Sequence, residues 1–257
     1  MESIKVIKIG GNVIDNAEAF ESFMESFARI EGAKILVHGG GKIATRLAKD
    51  MNVETTMIEG RRVTDKAMLD IVVMTYAGLL NKQIVASLQR HGCNAIGLSG
   101  ADGGAIRATK RAANPIDFGY VGDIDAANVN DSLLRTLLEG GLTPVFCAIM
   151  HNGEGVLLNC NADTVASSVA LGASRITTTE LHYCFEKRGV LRDVNDDDSV
   201  IELVTAENFA ELKAEGVINS GMIPKVENAL RAVREGVSCV YIKHSAEVAE
   251  QSGTKIE

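Results

Sequence analysis

Along this 257-residue chain, short apolar runs alternate with stretches of helical periodicity, and few folds accept that order. The runs Ile4 to Ile9, Lys34 to Val37, Ala95 to Leu98, Thr143 to Ile149, Ile176 to Thr179 and Cys239 to Ile242 have the length and composition of buried strands. Between them, an apolar face recurs at 3.6-residue spacing. After a cap at Asp15 or Asn16, the first such face comprises Ala17, Phe20, Phe23, Met24, Phe27 and Ile30. Further helices are expected over Lys42 to Asp50, Lys66 to Gln89, Asp131 to Leu138, Ala162 to Leu171, Ala206 to Ala214 and Met222 to Arg234. Strands that alternate with helices build a mostly parallel sheet with helices on both faces. The expected fold is therefore α/β, a three-layer αβα sandwich around a mainly parallel central sheet. Val53 to Ile58, Arg61 to Val63, Arg107 to Lys110 and Gly119 to Asp123 read as short hairpins at its edge. No Pro- or Ser-rich linker divides the chain, so residues 1–257 form one domain whose first lobe ends near Leu171 or Gly172.

Charge and cysteine usage narrow the function classes. A net charge of −8 argues against a general nucleic-acid binder, which needs a basic face for phosphates. No apolar stretch of the roughly 20 residues that span a bilayer stands out, and Met1-Glu2-Ser3 does not begin a signal peptide. A cytoplasmic enzyme without membrane contact is expected. The five cysteines are scattered, with no CxxC pair, and the five histidines form no HxH or HxxxH pair. Neither a disulfide framework nor a protein-held metal is indicated.

The chemistry concentrates where strands end in glycine. Lys8 and Ile9 run into Gly10 and Gly11, and the second strand runs into His38, Gly39, Gly40, Gly41 and Lys42. Glycine allows positive φ and lets backbone amides approach an anion, and the adjacent lysines add charge. In an open α/β sheet both clusters face the crevice at the carboxyl ends of the strands. The second cluster is not a Walker A loop, because Leu36 stands where its first glycine belongs and Ile43 follows Lys42. Gly39, Gly41 and Ala44, with Glu59 as a ribose ligand, match a dinucleotide fingerprint more closely, which leaves an NAD-binding oxidoreductase as a rival reading. Two further stretches are candidates. Asn159-Cys160-Asn161-Ala162-Asp163 opens a helix with more polar groups than a cap needs, and Asn219-Ser220-Gly221-Met222 leads into a helix whose first turn holds Lys225, against the helix dipole.

Taken together, Lys8 to Gly11, His38 to Gly41, Gly60-Arg61-Arg62-Val63-Thr64, Gly119-Tyr120-Val121-Gly122, Asn159 to Asp163 and Gly221 to Lys225 resemble, in order and spacing, the motifs of the acetylglutamate kinases of the amino-acid kinase family. The resemblance implies the amino-acid kinase fold, and transfer of the γ-phosphoryl group of ATP, with Mg2+ on the nucleotide, to the side-chain carboxylate of an N-acyl-L-glutamate in arginine biosynthesis. By the same resemblance Lys8 and Lys225 neutralise the transferring group, and Asp163 holds the two lysines rather than acting as a base. Arg62 takes the α-carboxylate, and Gly40, Gly41 and Asn159 complete the acylglutamate pocket. Gly10, Gly11, Gly221 and Met222 approach the nucleotide phosphates, joined by Thr179 and Glu180. The lobe 1–172 would bind acylglutamate and dimerise, and the lobe 173–257 would bind ATP.

The chain departs from the resemblance at two places. Thr177 to Arg188 reads as a lengthened loop, which leaves the adenine and ribose contacts open. Arg61 stands where relatives commonly carry an apolar residue; it either faces solvent or pairs with a carboxylate on the acyl group, as in N-succinyl-L-glutamate. The first strand begins almost at once, without the extra N-terminal helix of arginine-inhibited hexamers, so an arginine-insensitive homodimer is expected. A sibling kinase of the family, or a non-catalytic ligand sensor, are the other readings.

Overall fold

In the computed structural model, which describes residues 1–58, 60–218 and 222–257, the expected alternation becomes one large sheet. The chain enters through β1 (Ser3–Ile9), the short α1 (Gly11–Ile14), α2 (Ala17–Ala28), β2 (Ala33–His38) and α3 (Gly41–Asp50). The Asn16 side chain caps α2 by accepting from the Ala19 amide at 3.0 Å. A hairpin of β3 (Met57–Ile58) and β4 (Arg61–Arg62) precedes a continuous helix formed by α4 (Lys66–Val72), a π-helical segment Val73–Leu80 and α5 (Asn81–Arg90). Then come β5 (Ala95–Leu98), β6 (Ile106–Lys110), β7 (Gly122–Val129), α6 (Asp131–Glu139), β8 (Thr143–Cys147), β9 (Ile149–His151), β10 (Leu157–Asn159) and α7 (Ala162–Ser174). The chain finishes with β11 (Thr178–Phe185), β12 (Leu203–Val204), α8 (Ala206–Ala214), α9 (Ile223–Arg234), β13 (Cys239–His244) and β14 (Thr254–Ile256).

The main sheet has the order β12-β14-β13-β11-β1-β2-β8-β5, parallel except where β14 runs against β13. Its central strand β1 sorts its side chains by parity. Ile4 and Val6 face the cluster that contains Val165, Ala166 and Val169 of α7. Ile7 and Ile9 face the opposite cluster, with Phe23, Met24 and Phe27 of α2 and Ile84 and Leu88 of α5. Lys8 is the next residue of the row that faces α7.

Of the expected hairpin pieces, β6 and β7 join a smaller sheet, β10-β9-β6-β7, while β3 and β4 pair with each other in a sheet of two strands. The run Thr143 to Ile149 is divided, with β8 in the main sheet and β9 in the small one.

Two expectations are corrected. Thr177 to Arg188 is not a lengthened loop, because β11 fills most of it and pairs with β1 on one side and β13 on the other. The polar Thr178, Thr179, Glu180 and His182 mask a strand whose Leu181, Tyr183 and Cys184 are buried. The helix Lys66–Arg90 is long and apolar enough to cross a bilayer by length and composition, contrary to the sequence reading. Much of its apolar surface serves the core, with Met68, Leu69, Ile71, Val72, Leu80, Ile84 and Leu88 buried, while Met74 and Leu79 are exposed.

Candidate active site

The last polar position on the α7-facing row of β1 meets the first turn of α7. The Asn161 side chain caps that helix, accepting from the amides of Asp163 at 2.8 Å and Thr164 at 3.2 Å. Asp163 itself is thereby released from capping, and its carboxylate lies 2.8 Å from Lys8 Nζ. Burial alone would raise the Asp163 pKa, but the charges of Lys8 and Lys225 outweigh it and hold the group below the usual carboxylate value. Lys225, in the first turn of α9, rests its ammonium 4.8 Å from the ring centroid of Phe185, at the end of β11. Two cations and one carboxylate thus converge where β1, α7 and α9 meet.

The glycine clusters behave differently from their first reading. Gly10 does not offer its amide to a ligand; it has φ −70° and donates to the Cys184 carbonyl at 2.8 Å. It is glycine for closeness, since a Cβ there would stand 3.2 Å from that carbonyl oxygen. Gly11 borders the cavity that holds Lys8. Of the five glycines only Gly40 takes positive φ, +154°, and a Cβ on it would lie 2.3 Å from Leu80 Cδ1. Lys42 is exposed and does not border the cavity.

Arg62 is buried and fixes the Gly41 turn, with Nη2 donating to the Gly41 carbonyl at 2.9 Å and the Thr45 hydroxyl at 2.8 Å. Tyr76, carried by the π-helical segment, stands beside the same guanidinium; burial raises its phenol pKa and the Arg62 charge opposes the rise. Asn159 donates from Nδ2 to the Thr64 hydroxyl at 3.0 Å and from its amide to the Tyr120 carbonyl at 2.8 Å. Lys8, Gly11, Gly40, Gly41, Arg62, Asn159, Asp163 and Lys225 all border one cavity of about 600 Å³. This volume suits a small polar substrate together with the end of a second one. Sequence reasoning missed Tyr76, Phe185 and Arg111, which reach the site through distant pairings that leave no local motif.

Thr179 and Glu180 lie away from the cavity that holds Lys8. They pair with Ile4 and Lys5 at the amino end of β11, whereas Lys8 pairs with Tyr183 near its carboxyl end. In a parallel sheet these are opposite edges. Thr179 turns its hydroxyl to the Thr177 carbonyl, and Glu180 pairs with His182. The edge facing the cavity is instead the Phe185 end, where Glu186 accepts from Asn12. Met222 borders a small separate pocket with Lys187 and Val190. Gly221, with Asn219 and Ser220, lies outside the described residues, as does Glu59 of the dinucleotide reading.

No thiol at the site has thiolate character. All five cysteines are free and buried, and burial pushes Cys147, Cys160 and Cys184 up to about 12. Asp197 and Asp198 pair with Lys187 and Arg188 on the surface.

His38 is a fully buried scaffold rather than a base. Its Nδ1 donates to the Gly39 carbonyl at 2.8 Å and its Nε2 accepts from Asn81 at 3.1 Å, while burial lowers its pKa to about 4. An unfolded chain protonates His38 near 6.5, so as pH falls from 6.5 towards 4 the unfolded state takes up a proton that the folded state refuses. Stability therefore declines across that window, by up to about 3 kcal/mol. Urea unfolding at pH 7.5 and pH 5 should show a smaller pH-dependent loss for His38→Gln than for the natural chain; equal losses would contradict this assignment.

Comparison with known proteins agrees with the geometry. The chain is 47% identical over 256 residues to an acetylglutamate kinase of Phocaeicola vulgatus, covering 100% of this chain and 99% of that protein. It is 49% identical over 251 residues to an acetylglutamate kinase of Cytophaga hutchinsonii, covering 97% and 94%. The crystal structure of N-acetylglutamate synthase from Neisseria gonorrhoeae, with coenzyme A and N-acetylglutamate, superposes with a TM-score of 0.81 at 20% identity, over 98% of this chain and 59% of that one. At that identity it speaks for the fold alone. Residues 3–244 match the Amino acid kinase family, and the chain belongs to it.

Proposed function

We propose that the protein transfers the γ-phosphoryl group of ATP to the side-chain carboxylate of N-acetyl-L-glutamate, giving N-acetyl-L-glutamyl 5-phosphate, in the second step of arginine biosynthesis. The observation that carries this reading is the Lys8, Asp163 and Lys225 cluster, set in one cavity with Arg62 and Asn159. An acceptor carboxylate is already ionised at neutral pH, so no base has to remove a proton. One of its oxygens bonds to the γ-phosphorus as the bond to the departing ADP breaks, giving an acyl phosphate.

Such a transfer spreads negative charge over the phosphoryl oxygens, and fixed cations stabilise it more than covalent chemistry could. Lys8 and Lys225 supply that charge, and Asp163 keeps them apart and oriented. Two lysines facing one carboxylate leave net positive charge, which fits a polyphosphate. Mg2+ enters on the nucleotide phosphates, in keeping with its reluctance to shed water. Arg62 receives the substrate α-carboxylate through donors its Gly41 and Thr45 contacts leave unused, and Asn159 with the Gly40 and Gly41 backbone holds the acyl amide. Gly11 is assigned to the nucleotide phosphates, as the family resemblance also assigns Gly221 and Met222. In the same reading residues 1–172 hold the acylglutamate and the dimer contact, residues 173–257 hold ATP, and the enzyme works as a cytoplasmic homodimer.

The test is acyl-phosphate formation from ATP, Mg2+ and N-acetyl-L-glutamate, trapped with hydroxylamine. One hydroxamate per ADP is the expected result. No ADP, or ADP without hydroxamate, would exclude the reaction.

A further inference from the structure

The two lysines at the reacting end are held in different ways. Lys8 has a carboxylate in contact, Asp163 at 2.8 Å, whereas Lys225 acts on that carboxylate as a more distant charge. Among the described residues, no carboxylate comes within ion-pair distance of Lys225. What its ammonium does meet is the face of Phe185, 4.8 Å from the ring centroid.

That ring is itself tied down. Phe185 lies between Cys184 and Glu186, and both are bonded to the turn that follows Lys8. The Gly10 amide donates to the Cys184 carbonyl at 2.8 Å, and the Asn12 side chain donates to the Glu186 carboxylate. A Cβ on Gly10 would stand 3.3 Å from Phe185 Cβ, so turn and aromatic residue are in close contact. The strand pair β1 and β11, in register from Ser3 and Thr178 to Ile9 and Cys184, therefore places the ring and Lys8 together.

We infer that Phe185 is a positioning residue for phosphoryl transfer, whose ring fixes Lys225 through a cation–π contact at a set separation from Lys8. This rests on the phosphotransfer reading of the same cavity and adds to it the means by which the second cation is placed.

The chemistry favours a ring over a second carboxylate at this point. Two ammonium groups repel each other, so the second needs an attraction of its own. A carboxylate would provide one, but it would cancel the charge, occupy the lysine donors and repel the phosphoryl oxygens. An aromatic face attracts an ammonium through its quadrupole and leaves the net charge in place. It brings no strong acceptor to compete with phosphate. Lys225 also sits in the first turn of α9, where the helix dipole opposes a cation, and the ring offsets that misfit.

The experiment measures kcat and KM by hydroxamate trapping, with ATP, Mg2+ and N-acetyl-L-glutamate. The natural enzyme is compared with Phe185→Leu, Phe185→Tyr, and full-length enzyme carrying mono-, di- or trifluorophenylalanine at position 185. Leucine keeps apolar bulk without the quadrupole, tyrosine keeps both, and fluorine drains the ring face with little change of shape. Phe185→Leu should lower kcat about 3–30-fold, the scale of a cation–π contact, with KM for the acylglutamate within about twofold. Phe185→Tyr should restore most of the activity, and log kcat should fall with each added fluorine. In a Lys225→Met background, Phe185→Leu should lower kcat no further, because both changes remove the same contact. A kcat indifferent to fluorination, or an equal loss from Phe185→Leu in both backgrounds, would make Phe185 a packing residue and overturn the inference while leaving the kinase intact. No hydroxamate from the natural enzyme would overturn the kinase reading itself.

Discussion

Replacing Lys8 by methionine should lower kcat about 10²–10³-fold while changing KM for the acylglutamate by no more than about threefold. The size follows from losing one preorganised charge at a site where charge develops only in the transition state. The pattern, with kcat falling and KM steady, follows from position. Lys8 lies against Asp163, whereas Arg62 is fixed at the Gly41 turn, so Lys8 should contribute little to ground-state binding of the acylglutamate. Removing the ammonium also takes away a charge that holds Asp163 below its usual pKa. The Asp163 pKa should then rise, and the part of stability that depends on its ionisation should be lost at higher pH than in the natural chain, because a less depressed carboxylate protonates earlier as pH falls. Steady-state kinetics with both substrates varied would check the first point, and acid unfolding the second. A kcat within tenfold of the natural value would remove Lys8 from the proposed machinery.

Arg62→Lys should do the opposite: KM for the acylglutamate should rise by about 10²-fold, with KM for ATP nearly constant. Lysine keeps the charge but not the planar fork, and a bidentate carboxylate contact depends on the fork. The arginine also fastens β4 to the start of α3 through the Gly41 carbonyl and the Thr45 hydroxyl. Losing those donors should cost about 1–3 kcal/mol of stability, visible as a shift in the urea midpoint. If KM for ATP rose instead, Arg62 would belong to the nucleotide side of the cavity.

What the sequence disclosed depended on how local its cause was. The helix Ala206–Ala214 agrees to the residue with its expected span, because Thr205 and Asn208 cap each other through a box written in four consecutive positions. Lys8 was legible as a cation at a strand end for the same reason. The strand β11 was not: its threonines, Glu180 and His182 look like a polar loop until β1 and β13 enclose it on both sides. Gly10 was assigned an open amide because nothing in Ile9-Gly10-Gly11 reveals that Cys184 occupies it. Tyr76 and Arg111 meet the cavity only after the small sheet and the long helix have packed, and no spacing rule reports such meetings.

The place of β1 in the sheet has a consequence for how the protein is made. Its pairing with β2 is available once the chain has passed residue 38, but its other edge waits for β11, more than a hundred residues later. Until then the strand that carries Lys8 presents a row of unsatisfied amides and carbonyls, a sticky border open to foreign strands during synthesis. A chain released near Gly172 would keep that border for good, so residues 1–172 and the strands that follow have to be born together.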